Sequence, residues 1–138
     1  MNIKRLLLAI VVGWLVIFAA DVVIHHFWLM PDYEATKSIW RPEAEMQPRL
    51  HWMFIAQFLG VATFVLVWAK GFAGGSVGTG AVFGLLMGLF QSIWVLVNYV
   101  LIPMPGELAV KWFSAGLAQA VIFGIVTSLV YKPSPSAS

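Results

Sequence analysis

The chain contains no cysteine and little charge. Without thiols it can form no disulfide, bind no metal through thiolate, attach no c-type haem and carry no cysteine nucleophile. Charged residues make up 10% of its 138 positions and hydrophobic ones 61%, whereas a soluble domain averages about 25% charged. That deficit argues against a globule solvated by water and fits a chain surrounded by lipid. The lysines and arginines are scattered and form no basic stripe, so nucleic acid is not an expected partner.

What the sequence does have is four long apolar runs: Leu6–Met30, Leu50–Ala69, Val77–Ile102 and Leu108–Tyr131. Each reaches the roughly 20 residues that cross a bilayer as helix. Unpaired backbone is prohibitive in lipid, which leaves helix as the state of each run. The expected fold is an all-α membrane protein. Residues 1–132 form one domain of four transmembrane helices in an up-down-up-down bundle. A polar loop spans 31–49, with a short interfacial helix capped by Asp32. The Pro/Ser-rich tail, 133–138, is expected to be disordered.

Lys4 and Arg5 followed by leucines resemble the start of a signal peptide. The apolar run is too long for one, and Phe18 stands where a cut after Ala20 would need a small residue. The expectation is an uncleaved first helix. Lys4, Arg5, Lys70 and Lys132 would share one side, and Lys37, Arg41, Arg49 and Lys111 the other. The counts tie, and the pair flanking the first helix favours both termini in the cytoplasm. Trp28, Trp52, Tyr99 and Trp112 would then line the outer interface, with Trp68 and Tyr131 at the inner one.

Small residues recur every four positions: Gly80, Gly84 and Gly88 on the third helix, and Gly116, Ala120, Gly124 and Ser128 on the fourth. Such stripes let helix backbones approach closely. They serve either internal packing or a face for a second copy or a partner. There is also a faint two-plus-two repeat. Gln57 stands thirteen residues before Lys70, as Gln119 does before Lys132, and the first and third helices both run into a proline, Pro31 and Pro103.

Asp21 is the only acidic residue inside the four runs, and His25 and His26 follow it closely; the other formal charge within them, Lys111, stands near the start of the fourth. An aspartate at a helix centre costs about 2.5–3.5 kcal/mol on insertion scales, so it calls for a partner or a purpose. On an α-helix Asp21 and His25 share a face while His26 points aside, and His51 starts the second helix at a similar depth. Three readings stand. Asp21 fixes the bundle by hydrogen bonding; Asp21, His25, His26 and His51 ligate a metal or haem; or Asp21 and a histidine relay protons or gate a small solute. The polar residues Gln57, Gln91, Ser92, Asn98 and Gln119 either bond across helices or line a path. In the loop, Tyr33, Thr36 and Trp40 fall on one face.

The segment Asp21-Val22-Val23-Ile24-His25, Tyr33-Glu34-Ala35-Thr36, Trp40-Arg41-Pro42 and Glu43-x-Glu45-Met46 resembles an uncharacterised family of small four-span bacterial membrane proteins. Those proteins also end their fourth helix in Tyr-Lys-Pro, here Tyr131-Lys132-Pro133. The resemblance implies a bacterial cytoplasmic membrane location and attaches no activity; His26 is not essential to the pattern. The site expected from all this is Asp21, His25, Tyr33, Glu34, Trp40, Arg41, Gln57, Asn98 and Gln119. The first expectation for function is a non-enzymatic accessory, scaffold or assembly protein, without cofactor, embedded in the bilayer and associating through the glycine stripe. The second is a small-solute or proton-linked transporter acting as an oligomer, and the third a metal- or haem-binding membrane protein.

Overall fold

A computed structural model describes residues 1–133. Four helical segments are long and apolar enough to cross a membrane: Ile3–Trp28, Glu43–Gly71, Val77–Leu101 and Gly106–Val130. No strand occurs among the described residues, and the protein is an all-α membrane protein with four spans. The tail expected to be disordered, apart from Pro133, lies outside the described residues.

The first span begins as α1 (Ile3–Asp21), capped by the Asn2 carboxamide, which accepts from Arg5 N at 3.1 Å. It does not continue as α-helix to Met30. At Asp21 it widens into a π-helical segment, Val22–Trp28, closed by the bond from Leu29 N to Ile24 O at 2.8 Å. The loop then forms the short helix α2 (Met30–Ala35), a 3-10 turn (Lys37–Ile39), α3 (Glu43–Met46) and a second turn (Gln47–Arg49) leading into α4 (Leu50–Gly71). Asp32 does not cap α2. Leu29 holds the cap position, Pro31 sits in the first turn, and the Asp32 carboxylate is bound to Lys111 instead.

After a turn at Phe72–Ser76, Ser76 caps α5 (Val77–Leu101) by accepting from Thr79 N at 3.1 Å. The Pro103–Pro105 stretch stops that helix, because proline brings no donor to continue it. Helix α6 (Gly106–Val130) begins with Glu107 in its first turn, where a carboxylate suits the positive end of the helix dipole.

Helices α5 and α6 make the closest pair, and the two small-residue stripes meet there. A Cβ on Gly80 would lie 2.6 Å from Gly124 O, and one on Gly88 would lie 2.8 Å from Ala120 Cβ. At Gly84 an added Cβ would run into the backbone of Ala120 and Val121. Only glycine permits this approach, which substitutes van der Waals contact for the hydrophobic gain that lipid does not offer. The stripe is therefore filled by the chain's own helices. The accessory role expected to act through it loses that face.

The interior divides into two parts. At the end carrying both helix termini (the terminal end), Phe64, Val65 and Trp68 of α4, Phe83 of α5, Phe123 of α6 and Tyr131 form a buried cluster. Phe64 stacks on Phe123 at 4.3 Å and meets Phe83 edge-on at 4.7 Å. Trp68 and Tyr131, expected to face the inner headgroups, are buried inside this cluster, 0% and 1% exposed. Their bulk fills the wedge between α4, α5 and α6. At the opposite, loop end a smaller cluster gathers Leu29, Met104, Leu108 and Ala109.

Candidate functional site

The site is built around the Asp21 carboxylate, at the point where α1 passes into its π turn. Gln119 of α6 donates through Nε2 to Asp21 Oδ1 at 2.8 Å and to the carbonyl of Ile17 at 3.3 Å. Gln57 of α4 donates through Nε2 to Asp21 Oδ2 at 2.5 Å. The glutamines at matching positions of the faint repeat thus meet on one carboxylate and tie three helices together. A carboxylate accepts only, and the two amides supply one donor to each of its oxygens. Gln57 Oε1 has no donor of its own and is buried.

Gln119 lies thirteen residues from the start of α6 and eleven from its end. At 1.5 Å per residue that is about 20 Å into the helix. The carboxylate is held at the middle of α6, because α1 ends beneath the loop and Leu29, the residue closing its π segment, is itself buried.

The π turn also changes the histidines. Its wider i→i+5 winding brings His26, five residues on, back toward the side of Asp21, so that both line a cleft between α1 and α4. On an α-helix His26 would have pointed away. His25 Nδ1 lies 2.6 Å from the Tyr33 hydroxyl, and Trp112 Nε1 donates to the same oxygen at 2.9 Å. An indole N–H can only donate. The Tyr33 oxygen therefore accepts from Trp112, while the direction of its bond to His25 Nδ1 follows the imidazole tautomer. Burial pushes the Tyr33 phenol above its ordinary value of 10.0; the Trp112 hydrogen bond works against this, and the charges of Asp32 and Asp21 add to it.

These bonds dock α2 over the loop end of α6. Lys111 reinforces them, reaching Asp32 Oδ1 at 2.9 Å and Glu107 Oε1 at 2.8 Å. Trp40 packs on Trp112 with ring centroids 5.7 Å apart and donates to Thr36 Oγ1 at 2.9 Å. The expected face of Tyr33, Thr36 and Trp40 is formed, and it rests on a fourth residue, Trp112, read from sequence only as an interfacial ring. The Glu107/Lys111 spacing in α6 was the visible sign that this stretch carries polar work.

Beneath the docked loop lies a cavity of about 340 Å³ between α1, α5 and α6. Asp21 and His25 wall it on one side, Gln91, Ser92 and Asn98 of α5 on another, and Trp112 and Gln119 of α6 on the third. The second cleft, between α1 and α4, has about 370 Å³ and a mostly apolar lining with Phe18, Met53 and Phe54. Asp21 and His25 face both spaces. Of the other expected site residues, Glu34 and Arg41 are exposed and stand apart, Arg41 pairing with Glu45 at 3.3 Å. His51 packs against Trp52, ring centroids 5.2 Å apart. No three His, Asp or Glu side chains gather into a metal-binding group among the described residues. The metal reading therefore has no ligand set here.

Fold and site together define a small polytopic all-α membrane protein with a polar, carboxylate-centred cavity among its helices. No protein-family model, curated protein or solved structure matches the chain.

Proposed function

We propose that the protein is a non-enzymatic, multi-pass protein of the bacterial cytoplasmic membrane that admits a small polar solute to the cavity at Asp21. In this reading it works as a small-solute or proton-linked transporter, assembled as an oligomer, with both termini in the cytoplasm. One observation carries it. Asp21 is not sealed against a single helix but forms a wall shared by two spaces, one of them lined by Gln91, Asn98 and Gln119. A carboxylate serving only to fix the bundle would be enclosed by its partners, because water at its side weakens the bonds it makes. Intramembrane ionisable residues on a cavity are the usual mark of a solute or proton path. The aromatic cluster at the terminal end closes the interior below it, as expected of a transporter open to one side. The accessory reading has lost the glycine stripe as its contact face.

The lack of native cysteine makes a direct test available. Single variants Asn98→Cys and Ala115→Cys should react with a membrane-impermeant maleimide added outside whole cells, whereas Phe64→Cys should not. Protection of both cavity positions from either side of the membrane would mean a dry, structural site and would return the accessory reading to first place.

A further inference from the structure

The charges and hydrogen-bonding groups around the cavity set the class of its ligand. Asp21 carries the only formal charge on either wall, and neither cleft is lined by a lysine or arginine. The nearest lysine on α6, Lys111, is held by two carboxylates, Asp32 and Glu107. Asp21 accepts one bond at each oxygen, and a carboxylate offers about four acceptor positions. Gln57 Oε1, a buried acceptor without a donor, belongs to the other cleft. On α5 the side-chain amides of Gln91 and Asn98 face the cavity and are unpaired among the described residues. Asp21 thus gives the space its only formal charge, a negative one, beside amides that can both accept and donate. Trp94 and Trp112 add aromatic surface, and aromatic faces attract cations.

Size separates an inorganic ion from an organic one. The cavity volume of about 340 Å³ is on the order of ten times the share of one water molecule in the liquid, about 30 Å³. It falls within the range of small-molecule sites, roughly 300–1,000 Å³. A bare metal ion would leave most of it unfilled, and no metal-ligating group of three is present among the described residues.

We propose that the cavity between α1, α5 and α6 binds a small organic ammonium, its cationic nitrogen at Asp21 and its body toward Trp94 and Trp112. This rests on the cavity being open to solute, as proposed above. An ammonium donates to the free acceptor positions of Asp21 and neutralises the carboxylate. A neutral ligand of the same shape leaves that charge uncompensated, and an anion is repelled by it.

Three isosteres test this on the full chain in detergent or nanodiscs: phenethylammonium, 2-phenylethanol and phenylacetate, followed by calorimetry and by quenching of tryptophan fluorescence. The ammonium should bind at least about tenfold more tightly than the other two, a difference of about 1.4 kcal/mol. Asp21→Asn should erase that preference. Should Asp21→Asn fail to fold, Asn98→Leu, whose side chain makes no hydrogen bond to Asp21, Gln57 or Gln119, should weaken ammonium binding about tenfold while leaving the thermal unfolding midpoint in place. Equal binding of the alcohol or the carboxylate by the native chain would overturn the charge assignment yet leave the open cavity standing. Binding of none of the three, together with maleimide-protected Asn98→Cys, would overturn both.

Discussion

At the terminal end, four aromatic rings from three helices close the interior; farther along, midway up α6, polar side chains of α4 and α6 gather around a carboxylate of α1. The first region, with Phe64, Trp68, Phe83 and Phe123, is held by dispersion between rings that interlock in stacked and edge-on pairs. The second, with Asp21, Gln57 and Gln119, is held by directional bonds. Rings fill space in every direction, whereas hydrogen bonds fix a few atoms at set distances and leave room between them. The polar half therefore keeps two clefts, both walled by Asp21 and His25. Closure and access are divided along the length of one bundle by the choice of side chain.

Substitutions in each half sharpen this contrast. Phe64→Ala removes the ring shared by Phe83 and Phe123 and should destabilise the protein by about 3 kcal/mol, read by thermal unfolding in detergent. It should also open the terminal end, so that a cysteine introduced at Val65 becomes reactive to maleimide. If Val65→Cys stays protected in that background, the aromatic cluster is not what closes the bundle. Asp21→Ala should cost less, about 2 kcal/mol, since it strands the donors of two half-buried amides. A cycle with Gln119→Ala should then show non-additivity. Strict additivity would mean that Gln119 and Asp21 are neighbours without coupling.

Tyr33→Phe should have the smallest effect, about 1 kcal/mol, and should loosen the loop cap, read as faster proteolysis between Thr36 and Arg49. A pH dependence follows from the same hydroxyl. The folded protein holds the Tyr33 proton more tightly than the unfolded chain does, so the docked loop is fully stable below the ordinary phenol value near 10. Its stability falls as pH rises beyond that. In Tyr33→Phe this loss above pH 10 should disappear; an unchanged alkaline profile would place its origin elsewhere.

Much of the architecture could be read directly from the chain. Apolar length sufficed for four spans because lipid allows helix and little else, and Pro31, Pro103 and the Gly71–Ser76 stretch marked the breaks. The loop face of Tyr33, Thr36 and Trp40 followed from helical spacing. The site was legible only as a set of residues. Asp21, Gln57, Gln119 and Asn98 stood out as polar atoms in apolar surroundings, but their convergence depends on how helices rotate against one another. Glycine spacing offered packing of the third helix on the fourth or a face for a partner, and the structure shows the first, α5 against α6. Trp112 was obscured because a tryptophan near a span end has an ordinary explanation at the headgroups. His26 was misplaced because no residue type announces a π turn.

That turn, Val22–Trp28, has a mechanical meaning. It is a coil wound wider and shorter than the helix below it, set between the carboxylate at its base and the buried Leu29 at its top. Tightened to an ordinary α-helix, the same seven residues would stand taller and turn through a different angle. Leu29 would then leave the socket it shares with Met104 and Leu108, and His26 would swing away from the cleft it lines. The pitch of this one segment thus sets both the height at which Leu29 is seated and the side to which His26 turns.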